Sequence, residues 1–473
     1  MGCGQTKDDY ASYRPQTIYN GQPNGVQHAL ETNYSPRVEV NLRDEVNRSD
    51  PNVFNNTFYQ QRENAIENVS FRNAVDSWYP SSLEQLIDQI KHLSSNKNAI
   101  DKAWIIFYWI SQNIDYDDNA YFRKDIPIQG AEDVFRRRKA LCEGYAIFYK
   151  TIADAIGLQC GRISGYAKIH SFNPRKILKF EDTNHVWNAI QSEKHWYLVD
   201  CTQGTGYLEG KKFKQQLNTY YFLCRPEHLI YKQFPLDERW QLLSRPITMK
   251  QFLSMPVTWP HFHEYNLEVI SPRSSPFAPW SKAGSYSEIL IRCPADVQLS
   301  GSIRQDGQTY ENSELVQYDP DKAVHQCLFA PQQVGAHTIT IFAKKITDDV
   351  AHLAVRFELD VTDLKGPITF PLAYGTVYKK HPCLRYSTFH QQNCKIYTPL
   401  HGILEKHSEV TFHCRIPDAK EVNLTIDSKW LTVQGYEDNV LKRTIKVGTQ
   451  DVAIWAKYGD NASYVGVLKY TVG

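Results

Sequence analysis

Ala140-Leu141-Cys142-Glu143-Gly144-Tyr145-Ala146 is the stretch on which the reading of this chain turns. Phe148 and the apolar positions after it follow at helical spacing, so the pattern predicts a helix from about Leu141 to Ile156, ended by Gly157 as a C-cap. Cys142 then stands at a helix N-terminus. The helix dipole and the free backbone N–H groups there favour a thiolate. Arg136, Arg137, Arg138 and Lys139 lie immediately upstream and add positive potential. The plainer reading of Cys142 is a small buried residue on a core helix, the commonest fate of a free cysteine.

Two later segments shift that balance. Asn184-His185-Val186-Trp187-Asn188-Ala189-Ile190 and His195-Trp196-Tyr197-Leu198-Val199-Asp200-Cys201 read as an antiparallel hairpin, turned by Gln191-Ser192-Glu193-Lys194. A tight loop centred between Ser192 and Glu193 places His185 directly across from Asp200, with Cβ atoms about 5 Å apart. A carboxylate beside an imidazole sets its tautomer and orientation, which is what a nucleophile–base–orienter triad requires. The expected catalytic residues are therefore Cys142, His185 and Asp200. A purely structural His–Asp pair at a sheet edge is the alternative, but it leaves the helix-start cysteine unexplained.

Upstream, Ser81-x-x-Glu84 reads as a capping box ahead of Leu83, Leu86, Ile87, Ile90 and Leu93 at helical spacing. A second helix, about Ala99–Gln112, is apolar nearly all round and so is expected to be buried. Strand-like runs follow at Arg162–Ile169, His185–Gln191 and His195–Cys201. After about Pro256 the helical period disappears and short β-type runs continue to the end. This half repeats. Val334-Gly335, Ile339, Ile341, Phe342, Ala343 and Lys344 recur as Val447-Gly448, Val452, Ile454, Trp455, Ala456 and Lys457, always 113 positions on. Phe357/Tyr470 and Leu359/Val472 keep the same offset. Two tandem all-β domains are the natural reading.

Lys+Arg 53 against Asp+Glu 52 leaves a net charge of +1, which argues against a nucleic-acid binder or a protein steered to anionic surfaces by bulk charge. The longest purely apolar run, Ala103–Ile110, is too short to span a bilayer. Met1-Gly2-Cys3-Gly4-Gln5-Thr6 has no apolar signal region, so the ten cysteines are expected to be mostly reduced. No C-x-x-C pair occurs, so neither a structural zinc site nor any other metal or cofactor is expected. The same start fits N-myristoylation at Gly2, with Cys3 placed for palmitoylation. One acyl chain holds a membrane only marginally and a second makes attachment stable.

Cys142, followed by a hairpin bearing His185 and Asp200, resembles the transglutaminase-like core, a papain-related cysteine acyl-transfer fold, over about residues 75–245. Tyr221-Phe222-Leu223, Pro226-Glu227, Phe234-Pro235 and Trp240-Gln241-Leu242, with Trp259-Pro260 and Phe370-Pro371-x-x-Tyr374 opening the β repeats, are similar to the kyphoscoliosis-peptidase and hillarin group. The resemblance implies Cys142 as nucleophile, His185 as general base, Asp200 as orienter, immunoglobulin-like β domains, and a cytoplasmic, cytoskeleton-associated role. Two departures matter. Many such cores carry Trp-Gly shortly after the aspartate, whereas Asp200-Cys201-Thr202-Gln203-Gly204 has Gln in the Trp position. The Gly-Gln-Cys-Trp signature of calcium-dependent transglutaminases is absent, so crosslinking is not favoured. The backbone N–H of Cys142 is the expected first oxyanion donor, and the second is unassigned.

The expected fold is multidomain: a disordered, acylatable tether over 1–72, an α+β transglutaminase-like cysteine-triad core over 73–250, and immunoglobulin-like sandwiches over 256–363 and 366–473. The expected function is cysteine-type acyl transfer on protein amides, chiefly peptidase-like hydrolysis, with protein substrates, cytoskeletal partners and the inner face of the plasma membrane as its surroundings. A catalytically silent scaffold binding cytoskeletal proteins is the runner-up, and an amine-accepting transglutaminase the third.

Overall fold

The computed structural model describes residues 51–169, 172–176, 183–373, 388–431 and 434–473. They form two compact units, divided between Phe252 and Leu253. Gly2, Cys3 and Tyr374 lie outside the described residues.

In the first unit, seven helices precede the main sheet: α1 (Asn56–Ile66), α2 (Val69–Asp76), α3 (Leu83–Leu93), α4 (Ala99–Asn113), α5 (Asp118–Arg123), α6 (Ala131–Arg137) and α7 (Cys142–Ala155). The strands are β1 (Asp115–Tyr116), β2 (Lys139–Ala140), β3 (Cys160–Ala167), β4 (His185–Ser192), β5 (His195–Val199), β6 (Gly206–Glu209), β7 (Lys212–Gln215), β8 (Phe222–Cys224) and β9 (Gln233–Pro235), and a short helix α8 (Cys201–Thr205) follows β5. Five strands form one sheet in the order β8-β5-β4-β3-β9. β1 pairs with β2 in parallel, and β6 with β7 as a separate hairpin.

Helix α4 is the core element the sequence predicts. Asn98 caps it, accepting from the Asp101 N–H at 2.8 Å, and Ala103 through Ser111 are all buried. Each large apolar side chain so buried contributes about 1.5–3 kcal/mol. Tyr149 of α7 donates to the Ala103 carbonyl at 3.2 Å, and Tyr145 to the Ile114 carbonyl at 2.8 Å, which ties α7 to α4.

Two local expectations are corrected. The cap of α3 is Ser82, one residue later than expected. Its oxygen accepts from the Gln85 N–H at 3.1 Å, and the Gln85 side chain accepts in turn from the Ser81 N–H at 2.6 Å. The tether reading fails over 51–72, because α1 and α2 pack on the core. Phe58 stacks on Tyr197 at 4.7 Å, Phe54 meets it edge-on at 5.5 Å, and Arg62 donates to the Phe222 carbonyl at 2.8 Å. Each of these helices buries one aromatic with few aliphatics, Phe58 with Ala65 and Ile66 in α1 and Phe71 with Val75 in α2, so neither shows a cluster of aliphatics in sequence.

The second unit is all-β. One sandwich sets strands Val257–Thr258, His352–Val361, Gly335–Lys345, Val297–Gln305 and Gln308–Thr309 against Glu268–Ser271, Tyr286–Arg292, Val324–Phe329 and Glu314–Asp319. The other sets Leu372–Ala373, Val465–Val472, Asp451–Lys457, Glu421–Ile426 and Lys429–Leu431 against Lys395–Thr398, Glu409–Arg415, Val440–Lys446 and Tyr436–Glu437. The 113-residue offset carries through to pairing: Ile339 faces Phe357 as Val452 faces Tyr470. A β-bulge falls at Ile341/Phe342 in one and at Ile454/Trp455 in the other. The sandwiches meet through Gln317, which exchanges two hydrogen bonds with the Ile396 backbone, and through a buried Lys395–Asp319 ion pair at 2.7 Å.

Candidate active site

Leu141 is the N-cap of α7 and offers no side-chain cap. Its own N–H donates instead to Gln129 Oε1 at 2.9 Å, while Gln129 Nε2 donates to the Pro127 carbonyl at 2.9 Å. Gln129 thus straps the loop before α6 to the residue just ahead of Cys142. Gly144 permits this, since a Cβ there would run into Gln129 Oε1. The first turn of α7 keeps free N–H groups around Cys142, which is half-buried, whereas Cys160, Cys201 and Cys224 are buried. Burial pushes the Cys160 and Cys201 thiols up, far from reactivity at neutral pH.

His185 opens β4 and is 4 % exposed. Its Nε2 lies 2.6 Å from Asp200 Oδ2, and its ring stacks on Trp187 at 5.8 Å. The Cys142 thiol lies near enough to His185 to act on its imidazole electrostatically. With Nε2 on the carboxylate, Nδ1 is the nitrogen left for the thiol. Burial alone would push His185 down, but the Asp200 charge, their hydrogen bond and Cys142 outweigh it and carry the imidazole up to about 10. Burial likewise opposes ionisation of Asp200, but His185 and further hydrogen bonds hold its carboxyl below the ordinary carboxylate value. The structure therefore brings all three expected residues together, with a charged imidazole between carboxylate and thiol.

The hairpin achieves this in a register the sequence reading missed. The turn is Glu193-Lys194, both at positive φ, and Ser192 pairs with His195. The pairing is two residues out of the expected step. Continued past Val199, it sets Asp200 opposite Trp187, and His185 on the same face is the diagonal neighbour. Asp200 itself leaves the strand to cap α8, where its Oδ1 accepts from the Gln203 N–H at 3.0 Å.

Two supporting residues escaped the sequence reading. Gln233 of β9 donates to Asp200 Oδ2, the oxygen that also meets His185. Lys232 donates to Gln203 Oε1 at 3.0 Å and to the Tyr221 hydroxyl at 2.8 Å, with burial pushing its ammonium down to about 8 against the pull of Asp200. The expected basic field ahead of Cys142 is largely committed elsewhere. Arg136 pairs with Asp133 at 2.8 Å, Arg137 with Asp117 at 3.2 Å, and Arg138 lies over the Phe135 ring at 4.2 Å.

With this geometry in hand, the comparisons with known proteins define a class. Residues 85–201 match the transglutaminase-like superfamily, and residues 249–372 match the KY-like, immunoglobulin-like domain. The chain thus carries a transglutaminase-like core followed by an immunoglobulin-like all-β region. Among particular relatives, it is 31 % identical over 276 residues to mouse kyphoscoliosis peptidase, covering 56 % of this chain and 38 % of that protein. It is 25 % identical over 326 residues to the human one, covering 64 % and 46 %, and 29 % identical over 280 residues to Drosophila melanogaster hillarin, covering 52 % and 33 %. The chain spans under half the length of each of these relatives. Among the described residues, no helix is long and apolar enough to cross a membrane.

Proposed function

We propose that the chain performs cysteine-type acyl transfer on protein amides, with peptidase-like hydrolysis as the outcome. The 2.6 Å contact of His185 with Asp200, together with the influence of the Cys142 thiol on the same imidazole, supports this reading. The Cys142 thiolate attacks the amide carbon, the C–S bond forms, and the carbonyl electron pair moves onto oxygen beside the Cys142 N–H. Imidazolium His185 gives its proton to the departing nitrogen as the C–N bond breaks. Neutral His185 then takes a proton from water, whose oxygen attacks the thioester; the C–S bond breaks, releasing the acid and restoring the Cys142 thiolate beside imidazolium His185. Asp200, fixed by Gln203 and Gln233, keeps the imidazole oriented throughout. A cysteine-directed acyl-enzyme probe tests this: wild type should label and Cys142→Ala should not, whereas equal labelling defeats the assignment.

The proposed surroundings are cytoskeletal proteins as substrates or partners, and the inner face of the plasma membrane, reached through acylation of Gly2 and Cys3. Gly2→Ala should shift the protein from the membrane to the soluble fraction. Identical fractionation of both forms rules the anchor out.

A further inference from the structure

Hydrolysis through Cys142 needs a second donor for the carbonyl oxygen besides the Cys142 N–H. Two nearby side chains are poorly placed to serve. Gln129 Nε2 is already held by the Pro127 carbonyl. Trp187, stacked on His185, has an Nε1 that is buried beyond the reach of substrate.

Tyr116 remains. It lies in β1, with Tyr116 paired to Ala140 of β2, two residues ahead of Cys142. The Asp115 N–H donates to the Arg138 carbonyl and the Asp117 N–H to the Ala140 carbonyl, both at 2.9 Å, so the backbone of Tyr116 is clamped on either side. Asp117 is fixed further, capping α5 through the Ala120 N–H at 3.1 Å and pairing with Arg137. The Tyr116 ring rests against Tyr121 at 5.8 Å and against Phe213 of β7 at 6.1 Å. It is only half-buried, and its hydroxyl makes no hydrogen bond among the described residues.

Resting on the acyl-transfer reading above, we propose that the Tyr116 hydroxyl is the second oxyanion donor, a catalytic residue that hydrogen-bonds the carbonyl oxygen as the Cys142 thiolate adds to the carbon. The phenol keeps its proton. Burial, and after it the Cys142 thiol more than any other ionisable group, hold it well above the ordinary tyrosine range. It therefore acts as a donor only: the oxygen gains negative charge, the O–H turns towards it, and no proton is transferred.

The test separates two reactions of one thiol. Acylation by p-nitrophenyl acetate passes through a tetrahedral oxyanion, whereas alkylation by iodoacetamide is a direct displacement at carbon and needs no oxyanion site. Tyr116→Phe should slow acylation of Cys142 by about 10²–10³-fold, the usual loss for one such donor, and leave alkylation unchanged. Unchanged acylation overturns the proposal, and so does equal slowing of both reactions, which marks a structural defect. Wild type acylating no faster than Cys142→Ala is a different failure, because it removes the acyl-transfer reading on which the proposal stands.

Discussion

The molecule contains two cysteine–histidine contacts with opposite electrical characters. In the first unit, Cys142 meets a His185 that Asp200 holds at 2.6 Å, and the imidazole is carried up to about 10. In the first sandwich, Cys293 Sγ lies 3.4 Å from His325 Nδ1. Burial pushes that imidazole down to about 4 and, with Asp296 adding to it, the Cys293 thiol up to about 12. Lys345 pairs with Asp296 at 2.6 Å, so the local carboxylate serves the lysine and not the histidine. Proximity of thiol and imidazole is common to both sites. The carboxylate on the far nitrogen is what keeps one imidazole charged and leaves the other neutral.

The largest expected effect follows directly. Cys142→Ala and His185→Ala should each abolish acyl-probe labelling, and the double mutant should be no worse, because members of a triad act as a unit. Cys293→Ser and His325→Ala should leave labelling intact. Loss of labelling in either sandwich mutant, with folding confirmed by circular dichroism, breaks the contrast.

Asp200→Asn should turn the first site electrically into the second. Labelling should fall by about 10²–10⁴-fold, the span of a general acid–base contribution. The His185 titration, followed by NMR, should drop from about 10 towards or below the ordinary histidine value of 6.5. A His185 titration that stays in place would show that burial and Cys142, and not the carboxylate, set its charge.

Alkylation distinguishes the thiols more finely. Iodoacetamide near neutral pH should modify Cys142 ahead of Cys160, Cys224 and Cys293, and Cys293 should become reactive only as pH approaches about 12. Peptide mapping after partial labelling gives the order, and equal rates for Cys142 and Cys293 would remove the distinction.

The smallest effect is on stability. The folded chain holds the His185 proton up to about pH 10, but the unfolded chain only to about 6.5, so the folded state binds more protons between those values. The contribution of the pair is complete below pH 6.5 and fades as pH rises towards 10. The melting-temperature difference between wild type and Asp200→Asn should therefore be larger at pH 6 than at pH 10. A difference that grows with pH reverses the sign and rejects a protonated His185.

Much of this site is legible in local sequence. The apolar period and the glycine at 157 mark the helix that starts at Cys142, and alternation marks the strands that carry His185 and Asp200. Helix and strand periods depend on neighbours within a few positions, so they survive without tertiary knowledge. The repeat is legible for the same reason, since two like strand pairs keep one spacing down to their bulges.

What the sequence by itself determined, then, is which residues carry the chemistry and on which elements they sit. Tertiary structure decided how they meet. The two positive-φ turn residues Glu193 and Lys194 set the hairpin register, and Asp200 reaches His185 diagonally from a helix cap. Gln233 stands 33 residues from Asp200 and reaches it because β9 joins the sheet beside β3. The arginines ahead of Cys142 find carboxylates and aromatic rings elsewhere in the fold. Tyr116 comes beside the nucleophile only through the parallel pairing of β1 with β2. Each of these depends on which distant partner occupies a given space, and packing settles that only when the whole core closes.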